Sequence, residues 1–557
     1  MRTRVSSPGP KAHKLLPYLF FLSGAAGLVY EVIWREELAL FFGRAWPATA
    51  MVVALFMGGL ALGARLGGVF ADRLKNPLLV YSLLETGLGL AALLVPTLLF
   101  SLFPLYKAAW KVLGPGPGLW MVQVGLAGAA LLPPTILMGA TLPVLARFAA
   151  GRAFGRELPL LYGANTIGAA AGALAGVFLL LPALGRTGSL LAAVALTLAV
   201  AFSAARLAGK ATLPAPKAHP PQAKPHPPQE TTSRLPALLA FFSGAFTLAL
   251  EVFWTHSLAL TLGSTVYAFG LMLGAFLLGL GLASYFCARW TGQERDPWTP
   301  VYLSFSGGGF LVLLLTPFLG WVPWASAFLV ERFSSDFTLF AAGRFLVTSF
   351  AMGLPAFFLG LALPALLVAG SPAGREGRGT GIIYGANTLG AVLGPLAAGY
   401  LLLPGLGPRK GILLCGLGLL LLGAGAAAAR KDKRAYLPAG ASLGLGLLLA
   451  LLQPAWNPLV TTSGFHLYAL LNKKEGLGRS LARRKLLYLG EGAQGTVAVF
   501  DFDVDGETRR TYSMNGKFEG STNPHDMFTQ TRVTELPLAL CPREPKDVYI
   551  LGLGTGV

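Results

Sequence analysis

One motif occurs twice, and its recurrence restricts the fold more than any other feature of the chain. Ser23-Gly24, Glu31, Trp34 and Gly43 return in the same order as Ser243-Gly244, Glu251, Trp254 and Gly263, 220 residues later. Gly139-x-x-Leu142-Pro143 matches Gly360-x-x-Leu363-Pro364, and Tyr162-Gly163-Ala164-Asn165-Thr166 matches Tyr384-Gly385-Ala386-Asn387-Thr388. Three landmarks in one order at nearly one offset make the chain a tandem duplication of a unit of roughly 200 residues.

The repeated units are built from apolar runs. In the first they lie at about 15–42, 46–71, 77–103, 118–148, 159–183 and 186–207, each near or above the ~20 residues that cross a bilayer. In the second they lie at about 235–262, 264–286, 298–322, 338–369, 381–405 and 409–429, and Leu437 to Leu452 supplies a thirteenth. The 557 residues are 54% hydrophobic and 12% charged, where soluble domains carry roughly 25% charged residues. The chain reads as a multi-pass membrane protein whose partner is the lipid bilayer. Its net charge of +19 sits in short loops such as Asp72-Arg73-Leu74-Lys75 and Arg147 to Arg156, the topology signal of a membrane protein, so nucleic acid is not expected as a partner. Those loops fall on the side of the N-terminus, which is therefore expected in the cytoplasm. The run from Leu15 to Ile33 follows a basic tail but no small-residue cleavage site follows it. Its copy at Leu235 is internal, so both are expected to stay as spans. Cys287, Cys415 and Cys541 are far apart and form neither a disulfide framework nor a metal site, and no metal is expected.

The resulting division is a basic tail at 1–14, expected to be disordered, membrane repeat 1 at 15–207, a linker at 208–234, membrane repeat 2 at 235–429, an extra helix at 437–456, a β-hairpin domain at 457–522 and a final segment at 523–557. The linker is rich in Pro, Lys and His and favours extended polyproline conformation. Its His219 and His226 read as solvated linker residues rather than a metal tract. After about Asn457 charge rises. Thr496 to Phe502 alternates like a strand, and Asp505-Gly506 and Asn515-Gly516 are hairpin turns, because these dipeptides tolerate positive φ. Pro524 to Leu540 predicts a helix and Asp547 to Leu551 a buried strand, which runs into Gly552-Leu553-Gly554-Thr555-Gly556. Such glycines let a backbone approach a nucleoside-bearing cofactor at the first βα turn of a doubly wound, Rossmann-like sheet.

Four polar residues stand out on the spans. Glu31 lies among Gly24, Gly27 and Trp34 at helical spacing, and Glu251 among Gly244, Thr247 and Trp254. An intramembrane carboxylate marks a polar pathway or a partner. For Glu31 the plain alternative is an ion pair with Arg35, one turn on, near the membrane surface. Asn165 and Asn387 open glycine-rich spans, where interhelical hydrogen bonding is the plain role and substrate contact the other. Gly163, Gly168, Gly172 and Gly176 are expected to let helices pack closely.

Two families are suggested by these residues. Two six-span halves in one orientation are the arrangement of the major facilitator transporters, and Gly68-Val69-Phe70-Ala71-Asp72-Arg73-Leu74-Lys75 resembles their signature loop, with Cys287-Ala288-Arg289 in its place in the second half. The hairpin ending in Asn515-Gly516-Lys517, the helix ending Leu536-Pro537-Leu538 and the strand into the glycine loop, over about Leu487 to Val557, resemble the spermidine synthase (polyamine aminopropyltransferase) family. The whole chain is thus similar to the membrane-fused spermidine synthase-like proteins. The resemblance implies decarboxylated S-adenosylmethionine as co-substrate, held at Gly552, Gly554 and Gly556, and a small amine or polyamine as acceptor. It implies acceptor contacts from Gln494, Glu519, Asp526 and Gln530, with Thr529 near the family's tyrosine, since carboxylates and rings hold a diamine by charge and cation–π contact. The aspartate that deprotonates the amine is expected beyond Val557, in the remainder of a Rossmann-like domain, so that this chain alone is expected to be inactive. A transporter of a small cationic or polyamine-like solute with a non-catalytic domain, and a methyltransferase using S-adenosylmethionine, are the alternatives. Thirteen spans from a cytoplasmic N-terminus put 457–557 outside the cell, whereas adenosyl donors are expected inside. Either Leu437 to Leu452 does not cross, or the domain is external.

Overall fold

The computed structural model describes residues 10–42, 46–114, 116–150, 154–209, 234–468, 476–492, 495–504, 506–543 and 545–548. The first repeat forms α1 (Pro10–Phe42), α2 (Trp46–Ala71), α3 (Pro77–Leu113), α4 (Pro117–Phe148), α5 (Phe154–Ala175) and α6 (Leu181–Ala208). The second begins with α7 (Arg234–Leu262), α8 (Val266–Thr291), α9 (Trp298–Tyr302) and α10 (Gly309–Phe333). It continues with α11 (Phe337–Thr348), α12 (Leu354–Leu359), α13 (Ala362–Gly370), α14 (Glu376–Ala397) and α15 (Leu403–Arg430), and α16 (Lys433–Leu452) follows. The helix α1 starts at Pro10, inside the stretch expected as a disordered tail, because the tail's last residues simply extend the first span. The span expected at 338–369 is not one helix. A π-helical turn at Ser349–Gly353 and a break at Gly360-Leu361 divide it into α11, α12 and α13, where Pro355 and Pro364 each remove a backbone donor from the ladder.

Among the described residues, eleven helical stretches are long and apolar enough to cross a membrane, and two of them, Phe154–Ala208 and Glu376–Arg430, run for 55 residues. A straight helix of that length would reach about 80 Å, far more than a bilayer needs. Each instead turns at a glycine with left-handed backbone, Gly185 (φ 63°) and Gly407 (φ 74°). The α5 and α6 arms both lie along α1, so the stretch doubles back and makes two crossings. Both glycines fall where the sequence pattern separates the fifth and sixth runs of each repeat.

The duplication is visible atom by atom. Asn165 Nδ2 donates to Phe20 O (3.0 Å) and Asn387 Nδ2 donates to Ala240 O (2.9 Å). A Cβ on Gly24 would collide with Asn165 O, and one on Gly244 with Asn387 O. Gly168 backs onto Phe21 O and Gly172 onto Ala25 O, as Gly390 backs onto Phe241 O and Gly394 onto Ala245 O. Lipid tails are as apolar as leucine, so helices in a membrane gain by close van der Waals approach, which small residues permit. The α1–α5 and α7–α14 pairs use that one device in both repeats.

Beyond α16 come three short helices, α17 (Pro458–Thr461), α18 (Phe465–Tyr468) and α19 (Gly476–Ala482). Four strands follow, β1 (Arg484–Gly492), β2 (Gly495–Val504), β3 (Glu507–Met514) and β4 (Lys517–Ser521), in an antiparallel sheet ordered β1-β2-β3-β4. Thr496, Ala498 and Phe500 are buried on one face of β2, the expected alternation. Val504 pairs with Glu507 and Met514 with Lys517, leaving two-residue turns. Asn515 (φ 51°) and Gly516 (φ 78°) both take positive φ, as that hairpin type requires. Helix α20 (Pro524–Ala539) completes the described fold. The expected strand Asp547–Leu551 lies mostly outside the described residues, and Asp547 and Val548 are in no strand.

Candidate functional site

The two repeats meet along α2–α14 and α5–α8. At the N-terminal face the Asp72 carboxylate accepts from Gly377 N (2.8 Å) and Arg378 N (3.1 Å), capping the first turn of the other repeat's α14, where a helix offers unpaired donors and positive potential. This gives the Gly68–Lys75 loop a physical task, tying the halves together. Gly68 lies against the Gly381 backbone, and Gly163 against Gly281 and Ser284. Deeper in the seam, the rings of the matched Tyr162 and Tyr384 meet edge to face at 6.4 Å.

Glu31 of α1 and Glu251 of α7, the matched carboxylates of the two repeats, are both half-buried. The Arg35 guanidinium stacks over Phe269 of the second repeat at 4.4 Å and approaches Glu36 at 3.9 Å. Trp34, by contrast, turns into its own repeat and stacks on Tyr30 at 5.2 Å. Asn165 and Asn387 are committed to the carbonyls of α1 and α7 described above. The two asparagines therefore hold helices, and the two carboxylates remain as the matched acids of the spans.

A third carboxylate was not singled out from the sequence. Glu85 on α3 is fully buried and accepts a hydrogen bond from Ser23 Oγ at 2.6 Å. Glu85 Oε2 and the hydroxyl of buried Tyr81 make no hydrogen bond of normal geometry among the described residues. Tyr30 Oη and Thr197 Oγ1 share a 2.8 Å hydrogen bond on the same buried α1–α6 interface. A charged carboxylate in such surroundings is costly. The one available signal was a lone acid inside the apolar run at 77–103. The matching stretch of the second repeat, Val301 to Ser306, holds no acid.

The small domain is organised on Arg484. Its guanidinium donates to Ser463 O (2.8 Å) and Ser480 Oγ (3.0 Å) and lies 4.8 Å from the Phe502 ring centre. Burial pulls its pKa down to about 10, since a low-dielectric setting disfavours the charged form. On the exposed edge the Arg510 hydrogen bond holds the Asp501 carboxyl below the usual carboxylate range. Among the acceptor residues implied by the resemblance, Glu519 pairs with Lys517 Nζ at 3.2 Å. Asp526 accepts from Ser521 Oγ at 2.5 Å. Gln530 stands one turn after Asp526 on α20, none of whose residues is buried. Gln494 and the loop Gly552, Gly554 and Gly556 lie outside the described residues.

This domain is seated on the second repeat. Glu491 at the end of β1 meets His256 Nε2 of α7 at 2.9 Å, and Thr496 Oγ1 donates to the same carboxylate oxygen at 2.6 Å. Glu491 also borders Gly407. Trp456 Nε1 donates to Thr316 O (3.0 Å) and Gln453 Nε2 to Leu313 O (2.6 Å), both on α10. The helix α16 is 20 residues long and spans about 30 Å, one bilayer core. The helix that carries Leu437 to Leu452 thus has the length of a crossing, and Gly407 marks the end of the bundle remote from Pro10. The sheet lies at the membrane face opposite the N-terminus.

No family model matches the chain. A polyamine aminopropyltransferase of Corynebacterium efficiens is 32% identical over 170 residues, which are 29% of this chain, and the chain spans 30% of that relative's length. Among solved structures, the human organic anion transporter MFSD10 overlaps 74% of this chain and 98% of its own, with a TM-score of 0.47 and 14% identity. The major facilitator transporter FucP, in an outward conformation, overlaps 74% and 96%, with a TM-score of 0.47 and 15% identity.

Proposed function

We propose that the protein is a membrane-embedded relative of the polyamine aminopropyltransferases, in which a transporter-like membrane unit holds a domain that handles an aminopropyl donor and an amine. The observation that carries this reading is the 32% identity over 170 residues with the Corynebacterium efficiens protein. The order of hairpins and helix, β1 to β4 then α20, supports it. In the reaction an amine nitrogen attacks the methylene carbon beside the donor's sulfonium. The carbon–sulfur bond breaks, methylthioadenosine leaves with the electron pair, and the nitrogen's proton passes to a base. Gly552, Gly554 and Gly556 would admit the donor. Asp526 and Gln530, one turn apart on exposed α20, would face the acceptor. Glu519 is already neutralised by Lys517, so it adds little to the hold on a cationic amine.

A second reading has its own support. A sheet on the face opposite the N-terminus is remote from a cytoplasmic donor if the basic loops face the cytoplasm, and each repeat places a half-buried carboxylate, Glu31 or Glu251, on its first span. Both suit a carrier of a small cationic solute whose sheet domain is not catalytic. The test uses the native protein in lipid nanodiscs, with labelled decarboxylated and intact S-adenosylmethionine, and the same protein in liposomes with labelled putrescine. Preferential binding of the decarboxylated donor, with label passing to putrescine, is expected. Preference for the intact donor would replace this reading with a methyltransferase. Putrescine uptake without binding of either donor would replace it with the carrier.

A further inference from the structure

At the N-terminal face a cavity of about 390 Å³ opens where α5 of the first repeat meets α8 of the second. Arg156 and Leu160 line it from α5, Tyr285, Ala288 and Arg289 from α8, and Gly292 and Gln293 from the turn that follows. The wall is drawn together by Thr291 Oγ1, which donates to Gly155 O, and by the close approach of Gly292 to the Arg156 side chain. No acidic residue lines it, and neither guanidinium has an ion-pair partner among the described residues. Two arginines and an amide thus converge on one space, one arginine from each repeat.

We propose that this cavity binds the phosphate headgroup of an anionic phospholipid. Three observations point to that chemistry. The two guanidiniums and the Gln293 amide are donors only or donor-rich, and paired arginine forks suit phosphate oxygens. The cavity sits at the ends of spanning helices, at headgroup depth, where basic pockets between helices take anionic headgroups. Its remaining wall, Leu160, Ala288 and the half-exposed ring of Tyr285, is apolar, which suits the glycerol and acyl part of a lipid and has nothing to offer a free phosphate ion. Because Arg156 and Arg289 belong to different repeats, a bound headgroup fastens the repeats together at this face, beside the Asp72 cap.

The test is native mass spectrometry of the full chain in neutral detergent, titrated with phosphatidylglycerol or phosphatidylcholine, with inorganic phosphate as competitor. Phosphatidylglycerol is expected to bind and phosphatidylcholine not. Arg156→Gln and Arg289→Gln are each expected to weaken binding about fivefold and the double variant about thirtyfold, while Arg332→Gln at the other face changes nothing. Equal binding of the two lipids, an equal loss in Arg332→Gln, or full retention in the double variant would overturn the proposal. Displacement by inorganic phosphate at equal concentration would overturn the lipid and leave a phosphate-ion site. A thermal melt of each variant in the same detergent without lipid keeps misfolding from being read as lost binding.

Discussion

The two repeats share a scaffold and differ in what they attach to it. In both, the first and fifth spans touch backbone to backbone through the same glycines and one asparagine. In the first repeat the third span also carries Glu85, sealed against Ser23, where the second repeat has only Val301 to Ser306. In the second the first span carries His256, which grips the sheet domain, where the first repeat has Glu36 at the same offset. Contacts that build the bundle were kept in both copies, as was the carboxylate of the first span, Glu31 or Glu251, whereas Glu85 and His256 belong to one copy each. Packing is therefore a property of the duplicated unit, whereas the buried acid of the third span and the grip on the sheet domain belong to one copy each.

The comparison breaks most sharply at the glycines. Gly168→Leu and Gly390→Leu each drive a side chain into a carbonyl of the facing helix, and each is expected to cost about 3 kcal/mol, read as thermal stability in detergent. Equal losses sharpen the symmetry, and a tolerant copy breaks it. Next comes Glu85→Ala, which strands the Ser23 hydroxyl beside a buried void and is expected to cost about 2 kcal/mol, with Glu85→Gln close to the parent because it keeps the acceptor. No substitution within Val301 to Ser306 should show that Ala-versus-Gln split. His256→Ala removes a bond to a carboxylate, about 1.5 kcal/mol. It is expected to free the sheet domain for limited proteolysis between Gln453 and Arg484, while Glu36→Ala leaves the cleavage pattern unchanged. The smallest pair is Asn165→Ala and Asn387→Ala, each about 1 kcal/mol and equal within error by the same melt.

How much of this was legible in the sequence follows from the range of each interaction. The spans and the Asn-Gly and Asp-Gly hairpins are written in local patterns, and the repeat in matched motifs. The fold-back points at Gly185 and Gly407 appear as gaps between apolar runs. The role of the asparagines followed from their glycine-rich setting. Glu85 could not be ranked above other acids: Tyr81 one turn before it on α3 is visible in the spacing, but its partner Ser23 comes from α1, 62 residues away, and has no local signal. The His256–Glu491 contact spans 235 residues and has no local signal at all. The break of α11 to α13 was foreshadowed by Pro355 and Pro364 but hidden under an unbroken apolar run. In the stretch that the family resemblance assigns to the acceptor, the sequence located Asp526 and Gln530 on α20 but not the engagement of Glu519 with Lys517, which depends on how one hairpin twists.

Among the described residues the sheet domain and its tether bond to the bundle through α7 (His256), α10 (Leu313 and Thr316) and α15, whose Arg409 Nη2 donates to Gln453 O at 2.8 Å. The domain is thus cargo riding on one rocker arm. Should the repeats tilt against each other, it would swing as a pointer fixed to the second, and a pair of dyes on β2 and on α3 would follow the angle from outside the lipid.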